Sequence, residues 1–427
     1  MKIAIAGYGL EGKSNYDYFK SHGEVTVVDE RELVDDLPEG IPVLLGDGAF
    51  SRLDDFDLVV RTAGLSPHKI QTNGKVWSAT NEFFEKCPAP IIGVTGSKGK
   101  GTTSSLIASI LNEAGKTVHL VGNIGLPALD ELARITEDDI VVYELSSFQL
   151  WDAERSPQVA VVLHIEPDHL DVHENFEEYV SAKGNIARYQ GINDRVIYNA
   201  LNESAATIAD LSVGQRLPYQ TLRTAHVSDG QFYYGEQLLC SVSELQLPGV
   251  HNQDNACAAI TAVWPWVQDG IVIGEGLRAF GGLDHRLKFV AEKHGIAYYD
   301  DSIATTPGSA IAAMRAFEGP KLIILGGSPK GAQFDEVAAV AAQSNVTQVI
   351  LIGEEAARIE QALAEAGVAS IINKGSATTM QEVVQLAAEI AHAGDTVILS
   401  PACASFGMFR DYKDRGDQFI AAVNNLS

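Results

Sequence analysis

The run Gly93-Val94-Thr95-Gly96-Ser97-Lys98-Gly99-Lys100-Gly101-Thr102-Thr103 joins an apolar stretch, Ile91–Val94, to a long helical pattern that ends at Ala114-Gly115. Glycines in a strand-to-helix turn expose consecutive backbone N–H groups to phosphate oxygens. Lys100 can reach β- and γ-phosphates, and the Thr102 hydroxyl is suitably placed for Mg²⁺. Gly96, Ser97, Gly99, Gly101 and Thr103 complete the candidate phosphate loop. Its spacing departs from the usual Walker form: Gly93 lies six residues before Gly99, and Gly101 stands where a hydroxyl residue often follows the lysine.

Three further residues have types that suit a metal or a phosphate site. Glu144 closes the apolar run Ile140–Tyr143, and an acid at the carboxyl end of a strand is a natural Mg²⁺ ligand beside a phosphate loop. His169 lies in Glu166-Pro167-Asp168-His169-Leu170-Asp171, just past Val159–Ile165. A lone histidine is more often structural; flanking acids at a strand end favour a ligand. Lys183, in Ser181-Ala182-Lys183-Gly184-Asn185-Ile186, reads by itself as a solvated helix lysine.

A second glycine-rich turn, Gly7-Tyr8-Gly9-Leu10-Glu11-Gly12, follows the strand pattern Lys2–Ala6 and opens a helix expected to run to about Ser21. Asp29 ends the next strand pattern, placed to accept a hydrogen bond from a ribose or a base. The glycines allow a diphosphate to approach a helix N-terminus, or they serve a purely structural turn. This motif does not separate a nicotinamide dinucleotide from a UDP-linked substrate. An NAD-dependent oxidoreductase would explain the turn but leave Lys100, Glu144, His169 and Arg286 without a task.

These residues are carried by short Val/Ile-rich runs alternating with helical patterns, the signature of βα units around parallel sheets. The fold class expected is α/β with three domains: residues 1–88, Rossmann-like; residues 89–283, a P-loop-type ATPase domain around a parallel sheet; and residues 284–427, again Rossmann-like. Strands are expected at Val25–Val28, Leu58–Val60, Ile91–Val94, Thr117–Val121, Ile140–Glu144, Val159–Ile165 and Val196–Asn199. The third series is Ile296–Tyr299, Leu322–Leu325, Val349–Ile352, Ser370–Ile372 and Val397–Leu399, and Leu211–Leu247 reads as a small β-excursion within the second domain.

A net charge of -25 over 427 residues excludes a nucleic-acid partner and an anionic membrane surface, both of which call for basic surface. Phosphate ligands must therefore be held by local lysines and arginines, backbone N–H groups and metal ions. The four cysteines (Cys87, Cys240, Cys257, Cys403) have no metal-ligand spacing and read as reduced thiols; Cys403 has no base to make it a nucleophile. With no signal-peptide pattern and no apolar run of ~18 residues, a cytoplasmic, monomeric protein is expected.

On its T-G-x-x-G-K loop the chain resembles the Mur ligase family and its relative folylpolyglutamate synthetase, and the K-G-T form is most like the second. The resemblance extends over about residues 1–420 and is nearest to the D-glutamate-adding members, through Leu399-Ser400-Pro401-Ala402-Cys403-Ala404-Ser405-Phe406 and Arg415-Gly416. It implies an ATP-dependent, amide-bond-forming ligase of peptidoglycan precursor synthesis. A carboxylate becomes an acyl phosphate, which an amino-acid amine then attacks while domain closure excludes water.

In that family UDP-N-acetylmuramoyl-L-alanine is held by positions matching Gly9, Asp29, Ser66 in the Thr62–Pro67 turn, Asn123 and His169. The lysine at the place of Lys183 is carbamylated and joins Thr102, Glu144 and His169 around Mg²⁺, two ions being expected. Asn255, in Gly249-Val250-His251-Asn252-Gln253-Asp254-Asn255, matches an adenine contact, although Asn252 also reads as a helix N-cap. Arg286, at the hinge Leu283-Asp284-His285-Arg286, would stabilise phosphate charge, and Asp301 matches an acid contacting ATP. The catalytic set so implied is Lys100, Lys183, His169 and Arg286.

Thr305, Lys330, Ser405 and Tyr412 fall on positions for the incoming glutamate. Four positions depart from the family: Lys288 replaces an acid, Ile303 a lysine, Tyr412 a phenylalanine and Gly407 an aspartate. With Ile303 one cation is missing near the acceptor, so D-glutamate is expected and L-glutamate is the alternative. A folylpolyglutamate-synthetase-like ligase would lack the N-terminal glycine-rich domain.

Overall fold

The computed structural model describes residues 1–34, 37–123, 126–247, 249–329 and 331–426. They form two compact units, Met1–Phe280 and Gly281–Ser427.

The first unit holds two all-parallel sheets. One has the spatial order Val43–Leu45, Glu24–Asp29, Lys2–Ala6, Leu58–Arg61, Lys75–Ser78. The other runs Gln215–Tyr219, Arg195–Asn199, Val159–Val162, Ile91–Thr95, Ile140–Glu144, Val118–Gly122. The central strands are buried along almost their whole length, as in Ile91–Thr95, Ile140–Glu144 and Val159–Val162. Such continuous apolar runs are what a parallel sheet covered on both faces demands. The two faces of the middle sheet build separate cores, one shared with the first sheet and one with the helices Lys100–Glu113 and Val250–Val263.

The expected excursion over Leu211–Leu247 divides in two. Gln215–Tyr219 joins the large sheet in parallel, while Ala225–Ser228, Gln231–Tyr234 and Gln237–Ser241 form a small antiparallel sheet. Val43–Leu45 and Lys75–Ser78 have no counterpart in the expected strands, being short or partly polar. The strand expected at Val159–Ile165 stops at Val162, and its last three residues turn toward the phosphate loop.

The second unit is a six-stranded sheet ordered Lys288–Lys293, Ile296–Asp300, Thr396–Leu399, Lys321–Gly326, Val346–Ile352, Ile371–Gly375. Lys288–Lys293 pairs antiparallel with its neighbour and, charged at both ends, has too short an apolar run to mark it; the other pairings are parallel.

Candidate active site

In open α/β sheets ligands collect beyond the carboxyl ends of the strands, where connections diverge. In the middle sheet those ends are Thr95, Glu144 and Val162, on three adjacent strands. The loop leaving Thr95 needs its glycines. Gly99 has φ +84°, and a Cβ there would lie 2.5 Å from Asn255 Oδ1; one on Gly96 would meet the Leu163 Cβ at 2.7 Å. The helix Lys100–Glu113 starts at Gly99 without a side-chain cap, so its first-turn N–H groups are those available to an anion. Asn255 sits against this turn and donates to Asn252 Oδ1 at 3.2 Å, which puts the expected adenine-contacting segment beside the phosphate loop.

Lys100 folds back over the loop, its Nζ donating to Gly96 O at 2.9 Å and Ser97 O at 3.0 Å. Thr102 and Thr103 are buried in the first helical turn. Ser97 belongs to the same expected loop. Its hydroxyl faces inward, donating to Glu166 O at 2.8 Å and meeting Tyr179 OH at 2.8 Å, and its N–H donates to His164 O. Ser97 fastens the loop to the turn after the neighbouring strand.

Lys183 is not the solvated lysine its local sequence suggests. The helix Phe176–Arg188 turns it inward until it is 1% exposed, with Nζ 3.0 Å from Gly96 O and 4.6 Å above the Tyr179 ring. Burial first, then the nearby Lys100 charge, push its amine well below the ordinary lysine range; Asp168 and Glu144 pull the other way. Glu144 is buried, and its carboxylate accepts from Asn123 Nδ2 at 3.3 Å. His169 stands at φ +54°, half exposed, with its ring centroid 4.9 Å from that of Phe148. Among the described residues no three His, Cys, Asp or Glu side chains are grouped to hold a metal.

At the first sheet the glycine-rich turn is built by close approach. Gly7 has φ +91°, a Cβ on it would strike Thr62 Oγ1, and one on Gly12 would strike Gly7 O. Gly9 has open space around it. Asp29 is heavily engaged: it accepts from Tyr8 N, Arg31 N and Arg31 Nε and Nη2, all within 3.0 Å. Burial would raise its carboxyl, but these donors, Arg31 foremost, hold it down at about 2. A ribose there must share Asp29 with Arg31. Ser66 precedes the short helix Pro67–Lys69.

The sequence missed Arg61, which ends the strand Leu58–Arg61 fully buried and grips Asp152 with two 2.7 Å bonds. A charged residue closing an apolar strand was its only signal.

In the second unit Arg286 is exposed between His285 and Leu287, both at positive φ (61° and 43°). Asp300 grips the His285 ring at 2.7 Å, while Asp301 accepts from Leu287 N at 3.1 Å and Ser400 Oγ at 2.6 Å. Burial lifts the Asp301 carboxyl to about 7 against those two hydrogen bonds and the Arg286 charge. Lys288 pairs with Asp284. Ile303 is half-buried, Ser405 buried, and Tyr412 opens the helix Tyr412–Asn424 with its carbonyl accepting from Ser302 Oγ. Fully buried Arg415 donates to Ser302, Cys403 and Ala404, tying the segments of Thr305 and Ser405 together. Lys330 lies outside the described residues.

Two family models match: the Mur ligase middle domain over residues 94–263 and the Mur ligase glutamate ligase domain over residues 285–403. Curated relatives named UDP-N-acetylmuramoylalanine--D-glutamate ligase match end to end. That of Clostridium tetani is 36% identical over 100% of this chain and 97% of its own length, and that of Acetivibrio thermocellus 37% over 100% and 96%. The chain belongs to the Mur ligase family. Among solved structures, the Mur ligase MurC of Thermotoga maritima shares the fold at TM-score 0.61 and 19% identity, over 99% of both chains. E. coli FolC, solved with DHPP and ADP, does so at TM-score 0.58 and 19% identity, over 81% of this chain and 92% of its own. The glycine-rich segment 96–103 lies inside the first matched region, and Arg286 at the start of the second. No helix among the described residues is long and apolar enough to cross a membrane.

Proposed function

We propose that this Mur ligase uses ATP to join glutamate to UDP-N-acetylmuramoyl-L-alanine in the cytoplasm, as a step of peptidoglycan precursor synthesis. One observation carries the chemistry: Lys100 and Lys183 both reach Gly96 O, at 2.9 and 3.0 Å, beside Glu144 and an uncapped helix N-terminus. The choice of substrates is supported by the end-to-end likeness to ligases of that name.

A carboxylate and a triphosphate repel, so attack needs local positive charge. Lys100 and the loop N–H groups supply it in the ATP site, with Arg286 contributing from the second unit and Asn255 beside the base. The substrate carboxylate oxygen bonds to the γ-phosphorus as the bond to ADP breaks. The glutamate amine then bonds to the acyl carbon, losing a proton, and phosphate leaves. Residues 1–88 hold the UDP-linked substrate through Gly9, Asp29 and Ser66, with Asn123 and His169 contributing from residues 89–283. Residues 89–283 hold ATP, and residues 284–427 contribute Asp301 to it and Thr305, Ser405 and Tyr412 to glutamate.

Mg²⁺ at this loop would call for a modified Lys183, with Glu144 near it. A protonated lysine cannot be a ligand, but its depressed basicity favours the neutral amine that adds CO₂, forming an N–C bond and releasing a proton. The carbamate, Glu144 and the Thr102 hydroxyl would then supply oxygen donors of the kind Mg²⁺ prefers, with His169 adding one nitrogen. Bound Mg²⁺ would neutralise phosphate charge.

D-glutamate is the favoured acceptor, held differently because Ile303 leaves one cation fewer; L-glutamate is the alternative. Parallel assays of ADP release with the two enantiomers test this. Weak, equal use of both, with another amino acid far better, contradicts a glutamate ligase.

A further inference from the structure

The Arg61 guanidinium uses all of its donor nitrogens, and it divides them between two parts of the molecule. Its Nε and Nη2 bind Asp152 Oδ2 and Oδ1, both at 2.7 Å, and Nη2 also donates to Phe148 O at 2.8 Å. Its Nη1 donates to Leu65 O at 2.7 Å, Thr62 O at 3.2 Å and Ala63 O at 3.4 Å. Phe148 and Asp152 belong to the segment that leaves Glu144 through the helix Ser147–Leu150, itself fixed by a Ser146/Gln149 capping box. The other three carbonyls are the turn between the first sheet's Leu58–Arg61 strand and Pro67.

The same turn is held from its opposite side. Glu11, in the glycine-rich motif, accepts from Ala63 N at 2.8 Å. Farther along, His68 Nε2 lies 2.6 Å from Glu178 Oε1, on the helix that carries Lys183. A second bond pair reinforces the Asp152 end: Asn81 Nδ2 donates to Asp152 O, and Glu154 N donates to Asn81 Oδ1. The 62–68 turn is thus braced against both elements that present Glu144 and Lys183.

Stability alone is a poor reason for this arrangement. Arg61 is 0% exposed, and stripping water from a guanidinium cancels much of what a buried ion pair returns. A planar fork engaging carboxylate and carbonyls on separate elements instead fixes their relative position and angle. We propose that Arg61 is a positioning residue for ligation: through Asp152 and Phe148 it sets the turn that holds the UDP-linked substrate at a fixed distance from Glu144 and the phosphate loop. The assignment rests on the function proposed above. In-line attack on a phosphate tolerates little displacement, and a shift of about 1 Å costs roughly a hundredfold in rate.

The test uses the full-length protein in an ADP-release assay with UDP-N-acetylmuramoyl-L-alanine, glutamate and MgATP, together with calorimetric binding of the UDP-linked substrate. Arg61→Ala and Asp152→Asn should each lower kcat by about a hundredfold, with KM and substrate affinity within about threefold of wild type. Millimolar guanidinium should restore part of the Arg61→Ala activity and none of the Asp152→Asn activity. If Arg61→Ala does not fold, Asp152→Asn and Arg61→Lys are decided on the same kcat-against-KM split. Unchanged kcat per folded molecule, or a loss confined to KM, overturns the positioning role while leaving the ligase function standing. A wild-type protein inactive on this substrate overturns both.

Discussion

The chain contains two glycine-rich turns of the same local design, each leaving a parallel strand and opening a helix, and they differ in charge. In Gly7–Gly12 two of the glycines, Gly7 and Gly12, are demanded by the protein's own atoms, Thr62 and the Gly7 carbonyl, and the acid on the next strand is satisfied by Arg31. In the 93–103 loop a half-buried Lys100 and a buried Lys183 meet at one carbonyl, so near that Lys100 lowers the basicity of Lys183. Glycine spacing therefore reports how closely backbone can be approached; the balance of charge around the turn reports what approaches it. The acid beside the first turn is matched by Arg31, whereas the second turn gathers two lysine amines at one carbonyl.

The largest effect should come from removing the cation of the second turn. Lys100→Ala is expected to lower kcat by roughly a thousandfold or more, as for loss of a transition-state charge contact. Calorimetry should find UDP-substrate affinity almost unchanged, because that substrate is assigned to the first turn. Parallel loss of affinity would erase the distinction between the turns.

Lys183→Ala should also abolish turnover, with acetate or another short carboxylic acid restoring part of it; near-wild-type turnover would rule out the carbamate. Stability should move the other way in Lys183→Met. The folded amine is depressed well below the ~10.4 of an unfolded lysine, so between those values the unfolded chain binds the extra proton and stability rises with pH. Thermal unfolding in CO₂-free buffer should find Lys183→Met more stable than wild type at neutral pH, the gain shrinking as pH approaches 10. An equal or lower midpoint at neutral pH contradicts the buried amine.

Asp301 provides a smaller test in the second unit. Its carboxyl, raised to about 7 by burial, binds a proton in the folded state across the range where an unfolded aspartate, at ~3.9, has lost it. Stability should fall as pH rises from 4 to 7, by a few kcal/mol at most, and Asp301→Asn should flatten that slope. A variant with the wild-type slope would assign it to another group.

The smallest effect belongs to the first turn. Asp29 is held at about 2, so its contribution is complete above pH 4 and lost toward pH 2. With Arg31 half exposed, Asp29→Asn should cost roughly 1 kcal/mol at neutral pH and raise the UDP-substrate KM a few-fold without changing kcat. A collapse of kcat would show that the turn is less self-contained than its hydrogen bonds indicate.

Most buried parallel strands were legible because both their faces are covered and their apolar runs are continuous. The edge strands Val43–Leu45 and Lys288–Lys293 were not, since a half-exposed edge needs no such run. Loop residues such as Lys100 and Gly99 could be read locally, because φ and phosphate chemistry constrain neighbours in sequence. Lys183, by contrast, looks solvated in its own helix, and only the packing of that helix against the Thr95 strand buries it. Arg61 lies 91 residues from Asp152, a separation over which no local pattern operates.

The most direct test of the acyl-phosphate route follows one oxygen atom. UDP-N-acetylmuramoyl-L-alanine labelled with ¹⁸O in its free carboxylate is incubated with the enzyme, MgATP and D-glutamate, and the inorganic phosphate is analysed by mass spectrometry. Carboxylate attack on the γ-phosphorus followed by amine attack on the acyl carbon predicts one ¹⁸O atom in each phosphate released, with ligated product formed in equal amount. Ligation accompanied by unlabelled phosphate would contradict it.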